Sequence, residues 1–241
     1  MVLSRKQIDS YMADGYIQLG KILDDHQLNL VRDEYDREID KARKEGYISN
    51  LAEKNEQETP DAGKMWQVYA VSTRNIFFNR LVHAHKVLNI VEDLIGPNIR
   101  LLRADLLYKP SLHGSVVYWH KDNLFNQCVP ASMVTGWLTL DDVNSDNGAM
   151  QMIPGSHLRP SWEDWGENAE KLDTSNARVV ELPAGGIMFH HCQVLHHSTP
   201  NKSERPRRAV AIRFLPLGTQ SPRLSTGEWS LFMHPILRMK I

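Results

Sequence analysis

Residues 135–140 read Thr-Gly-Trp-Leu-Thr-Leu, a stretch with the alternating pattern of a half-buried β-strand. Thr135, Trp137 and Thr139 fall on one face, because successive side chains of a strand point to opposite sides. Similar short β-rich runs, separated by turn residues, make up much of the second part of the chain, at 100–108, 115–120, 134–140, 149–153, 178–182, 186–191 and 207–214. Short strands at this spacing predict an antiparallel sandwich or barrel.

The first 97 residues have a mostly helical pattern. Ser4 with Gln7, and Asp24 with Gln27, have the spacing of helix capping boxes. Apolar residues follow the second pair at steps of three and four as far as Gly46, a favoured residue at helix C-termini. A third helix is predicted over about 83–95 and a short strand over 16–19. The pattern therefore favours a mainly β fold with helices (α+β), in which the N-terminal helices pack on one sheet.

The chain of 241 residues has the length of one domain. We expect residues 1–97 to form a largely helical support, 98–217 a β-barrel core, and 218–241 a C-terminal tail. Trp229, Phe232 and Met233 in that tail suggest a lid. A polar, acidic insertion is expected at 158–177.

Composition narrows the class of protein. Hydrophobic residues make up 41% and charged residues 24% of the chain, and the formal net charge is -1, so no basic surface predicts nucleic acid as a partner. No apolar run is long enough for a membrane span, and the N-terminus lacks the apolar core of a secretory signal. Two cysteines, Cys128 and Cys192, cannot form a disulfide framework. These features predict a cytoplasmic protein, and they leave the oligomeric state open.

Histidines concentrate in the strand-rich region. His120 and Asp122 are two residues apart and would share one face of a strand, but such a pair alone is a weak signal. Four histidines also lie within 190–197, and arginines follow at 205, 207 and 208. Two histidines and one carboxylate with open coordination positions suit a non-haem Fe(II) oxygenase. An arginine beyond them is suited to bidentate binding of a carboxylate.

These residues belong to an ordered series of motifs that spans nearly the whole chain. The motifs lie at 11–16 (Tyr-Met-Ala-Asp-Gly-Tyr), 107–110, 119–122, 137–143, 147–150, 153–157, 196–201 and 206–207. In this combination the chain resembles the phytanoyl-CoA dioxygenase family of Fe(II)- and 2-oxoglutarate-dependent oxygenases. The resemblance implies a double-stranded β-helix (jelly-roll, cupin-like) core, with Fe(II), 2-oxoglutarate and O2 as cofactor and cosubstrates.

The resemblance also implies a metal site. It assigns iron ligation, and with it the catalytic centre, to His120, Asp122 and His196. Related halogenases have glycine or alanine in place of the carboxylate ligand, so Asp122 favours hydroxylation over halogenation. The family commonly has glycine after the distal histidine, and this chain has His197 there. The choice between His196 and His197 therefore depends on the spacing to the residues that follow, which favours His196.

Three further residues are implied as the 2-oxoglutarate site. Arg207, eleven residues after His196, would pair with the remote carboxylate of the cosubstrate. Ser198 would hydrogen-bond the same carboxylate, and Trp137 would line the pocket. Arg208 and Arg205 are the alternatives to Arg207.

The remaining polar residues of the motifs receive structural interpretations. His190, His191 and His197 are expected to have structural or supporting roles, because a facial triad needs only two histidines. Lys109 is interpreted as a surface lysine on a strand, and His157 as a residue that fixes a turn.

The predicted function is a 2-oxoglutarate-dependent dioxygenase that hydroxylates a small or medium-sized organic metabolite and releases succinate and CO2. One alternative is a non-enzymatic, cupin-like protein that binds a small ligand or a metal, because fold alone does not fix function. Another is a hydrolase with Zn²⁺ at the same ligands.

Overall fold

The computed structural model describes residues 1–51, 64–159, 172–225 and 230–240. Its α-helices are α1 (Arg5–Asp14), α2 (Asp25–Glu45), α3 (Ile76–Val82), α4 (His85–Ile95), α5 (Asp122–Asn126) and α6 (Ser230–Met233). Its strands are β1 (Tyr16–Lys21), β2 (Ile48–Asn50), β3 (Trp66–Val68), β4 (Ile99–Lys109), β5 (Val117–His120), β6 (Val134–Thr139), β7 (Met150–Met152), β8 (Arg178–Val180), β9 (Gly186–His191), β10 (His196–Ser198), β11 (Arg207–Pro216) and β12 (Ile236–Arg238).

The first two helices begin and end where the sequence predicts. Ser4 and Asp24 each accept a hydrogen bond from the backbone N–H three residues on, and the glutamine at that position bonds back to the cap. Gly15 and Gly46 end these helices with positive φ angles of 80° and 75°, a conformation that glycine adopts without steric cost. At Gly15 a side chain would also meet His157, because a Cβ there would lie 2.4 Å from the imidazole Nδ1.

The strands form two antiparallel sheets. The major sheet has the order β1-β9-β6-β11-β4-β3-β2, with β12 also paired to β4, and the minor sheet has the order β5-β10-β7-β8. Among the described residues, no strand of one sheet pairs with a strand of the other. The jelly-roll class is confirmed, but the core consists of two facing sheets and is not a barrel closed by continuous strand pairing.

The two faces of the major sheet have different neighbours. Val210 and Ile212 of β11 lie in the larger apolar cluster with side chains of α1, α2 and α4, so the predicted packing of helices on one sheet is confirmed. On the opposite face, Trp137, Ala209 and Ala211 pack against residues of the minor sheet. This second, inner layer contains the candidate site.

Some boundaries differ from the sequence-based expectations. The strand predicted over 16–19 is present as β1, whereas β2 and β3 of the predicted helical part and β12 of the tail are strands of the major sheet that were not predicted. The short strand β10 was not among the predicted strands. The predicted insertion 158–177 lies mostly outside the described residues, and Trp229 lies outside them entirely. Cys128 and Cys192 are buried free thiols. Among the described helices, none has the length and apolar character to cross a membrane.

Candidate metal and cosubstrate site

The three predicted ligands converge at the open edge of the minor sheet. His120 ends β5, and its register partner on the neighbouring strand is His196, the first residue of β10. Asp122 is the first residue of α5. One ligand atom from each of these side chains lies within 4.8 Å of the others, the spacing of a group that can hold a metal ion. The expectation that His120 and Asp122 share one face of a strand is wrong, because β5 ends at His120 and the chain then turns into helix α5.

His120 and His196 have the same ring nitrogen, Nε2, available for a metal. The Nδ1 of His120 lies 2.7 Å from the carbonyl oxygen of Tyr118, and the Nδ1 of His196 lies 2.9 Å from that of Val194. A carbonyl oxygen only accepts, so each Nδ1 carries the hydrogen and each Nε2 keeps its lone pair. Burial lowers the pKa of both imidazoles and favours this neutral form. A divalent metal binds neutral imidazole nitrogens of this kind.

Hydrogen bonds hold the Asp122 carboxylate through one of its two oxygens, Oδ2. Its Oδ2 accepts hydrogen bonds from Thr135 Oγ1 at 2.7 Å and His190 Nε2 at 3.3 Å, and Arg213 Nε lies 3.8 Å away. Its Oδ1 lies 4.0 Å from His120 Nε2, on the side of the triad. Burial alone would raise the pKa of Asp122, but Arg213 and His190 outweigh it and hold the pKa well below the ordinary value. The group is therefore an ionised carboxylate with one oxygen free for a metal.

Arg207 is a buried cation on the inner face of the major sheet. Its side chain is only 2% exposed, its Nε has no hydrogen-bond partner, and its Nη2 contacts the sulfur of Met65 at 3.7 Å. The guanidinium carbon lies 5.3 Å from the centroid of the Trp137 ring. Burial lowers the pKa of Arg207 to about 10. Within the described ranges no carboxylate lies at ion-pair distance from it.

The neighbouring arginine faces the other way, as alternation along a strand requires. Arg208 pairs with Asp141 at 2.7 Å and with Asp36 at 2.7 Å. Arg205 is exposed before the strand begins. The geometry thus gives no support to either alternative for the cosubstrate site.

Ser198 contacts a buried lysine. Lys109, the register partner of Arg207 on β4, is fully buried, and its Nζ donates to Ser198 Oγ at 2.7 Å. The interpretation of Lys109 as a surface lysine is therefore wrong. Side chains alternate between the two faces of β4. The pairing of Lys109 with Arg207 would have predicted that Lys109 faces inward, if this register had been known.

The other histidines lie around the triad but outside it. His197 stacks on Trp119 with ring centroids 4.2 Å apart, and among the described residues the metal-binding group contains His196 and not His197. His191 lies next to His157 with ring centroids 5.3 Å apart. His190 contacts Asp122, in keeping with its predicted supporting role.

Thr135, Arg213 and Asp105 are site residues that sequence reasoning did not assign. Arg213 and Arg103 both bond to Oδ2 of Asp105, which is fully buried, and Arg213 extends on towards Asp122. The signal for Thr135 was present, since it shares a strand face with Trp137. No local pattern marks Arg213, because its contacts lie on other strands.

Comparison with known proteins identifies the family. The family model for phytanoyl-CoA dioxygenase matches residues 11–209. The chain belongs to the phytanoyl-CoA dioxygenase family. The predicted enzyme class, a dioxygenase that depends on Fe(II), 2-oxoglutarate and O2, is confirmed with this membership and with the names of the curated relatives.

Two curated relatives show the range of the similarity. A probable alpha-ketoglutarate-dependent hypophosphite dioxygenase of Stutzerimonas stutzeri is 31% identical over 153 residues, which cover 56% of this chain and 51% of that protein. The peroxisomal phytanoyl-CoA dioxygenase of Bos taurus is 26% identical over 233 residues, which cover 88% of this chain and 68% of that protein. The first match thus spans about half the length of its relative.

A solved structure supports the fold. The non-heme alpha-ketoglutarate-dependent epimerase SnoN from nogalamycin biosynthesis superposes with a TM-score of 0.79 at 21% identity, over 97% of this chain and 98% of that one. At this identity the likeness establishes the jelly-roll architecture alone.

Proposed function

We propose that this chain hydroxylates a small or medium-sized organic metabolite, with His120, Asp122 and His196 as the ligands of Fe(II). The observation that carries the proposal is the free donor set: two imidazole nitrogens and one carboxylate oxygen within 4.8 Å of one another. Two histidines and one carboxylate are the donor set of non-haem Fe(II) oxygenases. The ionised Asp122 supports hydroxylation over halogenation, since it fills the position that is empty in related halogenases.

The residues around Arg207 fit 2-oxoglutarate. Among the described residues the buried Arg207 has no carboxylate at ion-pair distance and its Nε has no hydrogen-bond partner; this burial costs free energy, which a bound carboxylate would recover through paired hydrogen bonds. Arg207 and Ser198 would hold the remote carboxylate, and the ring of Trp137 would keep water from it. When bound, Fe(II) with 2-oxoglutarate and O2 supplies the oxidising chemistry and releases succinate and CO2.

The protein's own contribution to the reaction is orientation and charge. The Tyr118 and Val194 carbonyls fix which nitrogen of each histidine faces the metal. Thr135 and His190 hold the outer oxygen of Asp122, so that the inner oxygen stays directed at the triad. Contacts of this kind with metal ligands tune affinity and reactivity.

The proposed substrate class follows the relatives, whose printed names include enzymes for hypophosphite, phytanoyl-CoA and ectoine. These are small or medium-sized molecules. For this chain we propose the same broad class, with the substrate entering beside the half-exposed Phe125, whose ring lies 5.8 Å from that of His120.

The test is a mass-spectrometric screen of metabolites for succinate release with Fe(II), 2-oxoglutarate and O2. We expect a substrate that raises succinate formation in the wild type, and no substrate-dependent succinate in His120→Ala or Asp122→Ala. Wild-type turnover in either variant would show that the ligand assignment is wrong. Activity that survives without 2-oxoglutarate would favour a hydrolase. No O2 consumption with any compound would favour the binding-protein alternative.

A further inference from the structure

Lys109 is fully buried and has no carboxylate partner among the described residues. Its Nζ donates to three oxygens, namely Ser198 Oγ at 2.7 Å, the Ser198 carbonyl at 3.3 Å and the Thr199 carbonyl. A lysine ammonium has three hydrogens and no acceptor, so these contacts use all of its donors. All three donors are thus used within the protein, and the contact with Ser198 is the link between Lys109 and the proposed cosubstrate pocket.

The contact with Ser198 fixes the direction of a hydrogen bond. A serine hydroxyl has one hydrogen and accepts through its lone pairs. In its ammonium form, which a carboxylate bound nearby would favour, Lys109 can only donate, so Ser198 Oγ accepts from it and keeps its own hydrogen to donate elsewhere. A hydroxyl held in this way is a donor suited to a carboxylate.

Two glycines make the space that the lysine occupies. A Cβ built on Gly148 would lie 2.9 Å from Lys109 Cδ, and a Cβ on Gly114 would lie 3.0 Å from Lys109 Cβ. Gly148 also has a φ of 90°, which disfavours any other residue. The space around Lys109 therefore depends on these two glycines.

Lys109 and Arg207 are direct register partners on β4 and β11, and both lie on the inner face. Burial, together with repulsion from the nearby Arg207, lowers the pKa of Lys109. An anion bound next to them would offset this repulsion. The local charge therefore favours a ligand with a second negative group over one without it.

We propose that Lys109 is a positioning residue that orients the Ser198 hydroxyl towards the remote carboxylate of 2-oxoglutarate and so selects a dicarboxylate cosubstrate. This inference rests on the proposed function, in which Arg207 and Ser198 hold that carboxylate. Lys109 should therefore affect the binding of the remote carboxylate and not the binding of the keto-acid end, which would contact the metal.

The experiment compares two keto acids on protein loaded with Mn(II), which binds the site without turnover. Calorimetry measures the Kd of 2-oxoglutarate and of 2-oxobutanoate, which has the same keto-acid end and lacks the remote carboxylate. In Lys109→Met we expect the Kd of 2-oxoglutarate to rise about 10-fold or more, the effect of a lost hydrogen bond to a charged group. The Kd of 2-oxobutanoate should stay within about twofold, and Mn(II) affinity measured by electron paramagnetic resonance should not change.

A double variant tests the route through Ser198. If Lys109 acts by orienting Ser198, then Lys109→Met combined with Ser198→Ala should weaken 2-oxoglutarate binding no more than Ser198→Ala alone, because the two effects share one interaction. Full additivity of the two effects would overturn the proposed route.

Lys109→Gln, which keeps donor hydrogens for Ser198, is the second variant for the case that Lys109→Met does not fold. It should show a smaller loss of the preference for 2-oxoglutarate. An equal loss of affinity for both keto acids would mean a general structural role, and unchanged 2-oxoglutarate affinity would also overturn the inference. If the wild type with Mn(II) binds no 2-oxoglutarate, the proposed function is wrong. This result is distinct from those that overturn the role of Lys109.

Discussion

The hydrogen bond from Thr135 to Asp122 can be removed with little change in shape by Thr135→Val. The substitution replaces a hydroxyl by a methyl group at a site that is 2% exposed and leaves Oδ2 of Asp122 without its shortest contact, at 2.7 Å. His190 and Arg213 would remain, at 3.3 and 3.8 Å. In the metal-free protein the carboxylate would then be free to turn its inner oxygen away from the triad, and metal binding would have to reverse that motion.

A hydrogen bond to a charged acceptor contributes about 1.5–3 kcal/mol. Since about 1.4 kcal/mol corresponds to a tenfold change in an equilibrium constant, this range predicts a metal affinity about 10–100-fold weaker in Thr135→Val. Losses of this size are typical when a residue that supports a metal ligand is changed. The assay is a Mn(II) titration followed by electron paramagnetic resonance, with thermal unfolding as a check on the fold.

The matched control is Thr139→Val on the same face of β6. The Thr139 hydroxyl is equally buried, but it donates to the backbone carbonyls of Pro183 and Gly186. This variant should lower the Tm and leave metal affinity within about twofold. The reasoning is refuted if Thr135→Val binds Mn(II) as the wild type does, or if Thr139→Val weakens binding equally.

Three further predictions compare neighbours or conditions. Arg207→Met should weaken 2-oxoglutarate binding about 100-fold in calorimetry, whereas Arg208→Met should lower stability by about 1–3 kcal/mol and leave that Kd unchanged; the reverse pattern would exchange their roles. His196→Ala should abolish tight Mn(II) binding and His197→Ala should not, so loss in His197→Ala would contradict the choice of distal ligand. Burial lowers the pKa of His191 to about 4, so the unfolded chain takes up a proton near its ordinary pKa of about 6.5 before the folded one does. Stability should therefore fall between about pH 6.5 and 4, and urea unfolding of His191→Gln should show a weaker pH dependence; an unchanged dependence would exclude His191 as a source.

Local sequence signals predicted the local structure well. The capping residues Ser4 and Asp24 and the terminal glycines fixed α1 and α2, because caps act within one turn. The alternation of 135–139 placed Thr135 and Trp137 on the inner face. Motif order placed His196 ahead of His197, and the geometry agrees with that choice.

What the sequence could not predict depends on contacts between distant segments. Lys109 and Arg207 are 98 positions apart, and only the register of β4 with β11 makes them neighbours. The convergence of Asp122 with His120 needed the turn from β5 into α5, which the pattern presented as a continuing strand. Arg213 also reaches Asp122 and Asp105 across strands, so no local motif could signal its role.

The most direct test of the assigned chemistry is turnover under ¹⁸O2. A dioxygenase that couples oxidative decarboxylation of 2-oxoglutarate to substrate oxidation transfers one atom of O2 to succinate. The wild type should therefore give succinate that carries one ¹⁸O atom, in an amount that depends on Fe(II) and falls to background in Asp122→Ala. Succinate without the label, or a product oxygen that comes from water while 2-oxoglutarate stays intact, would contradict the account.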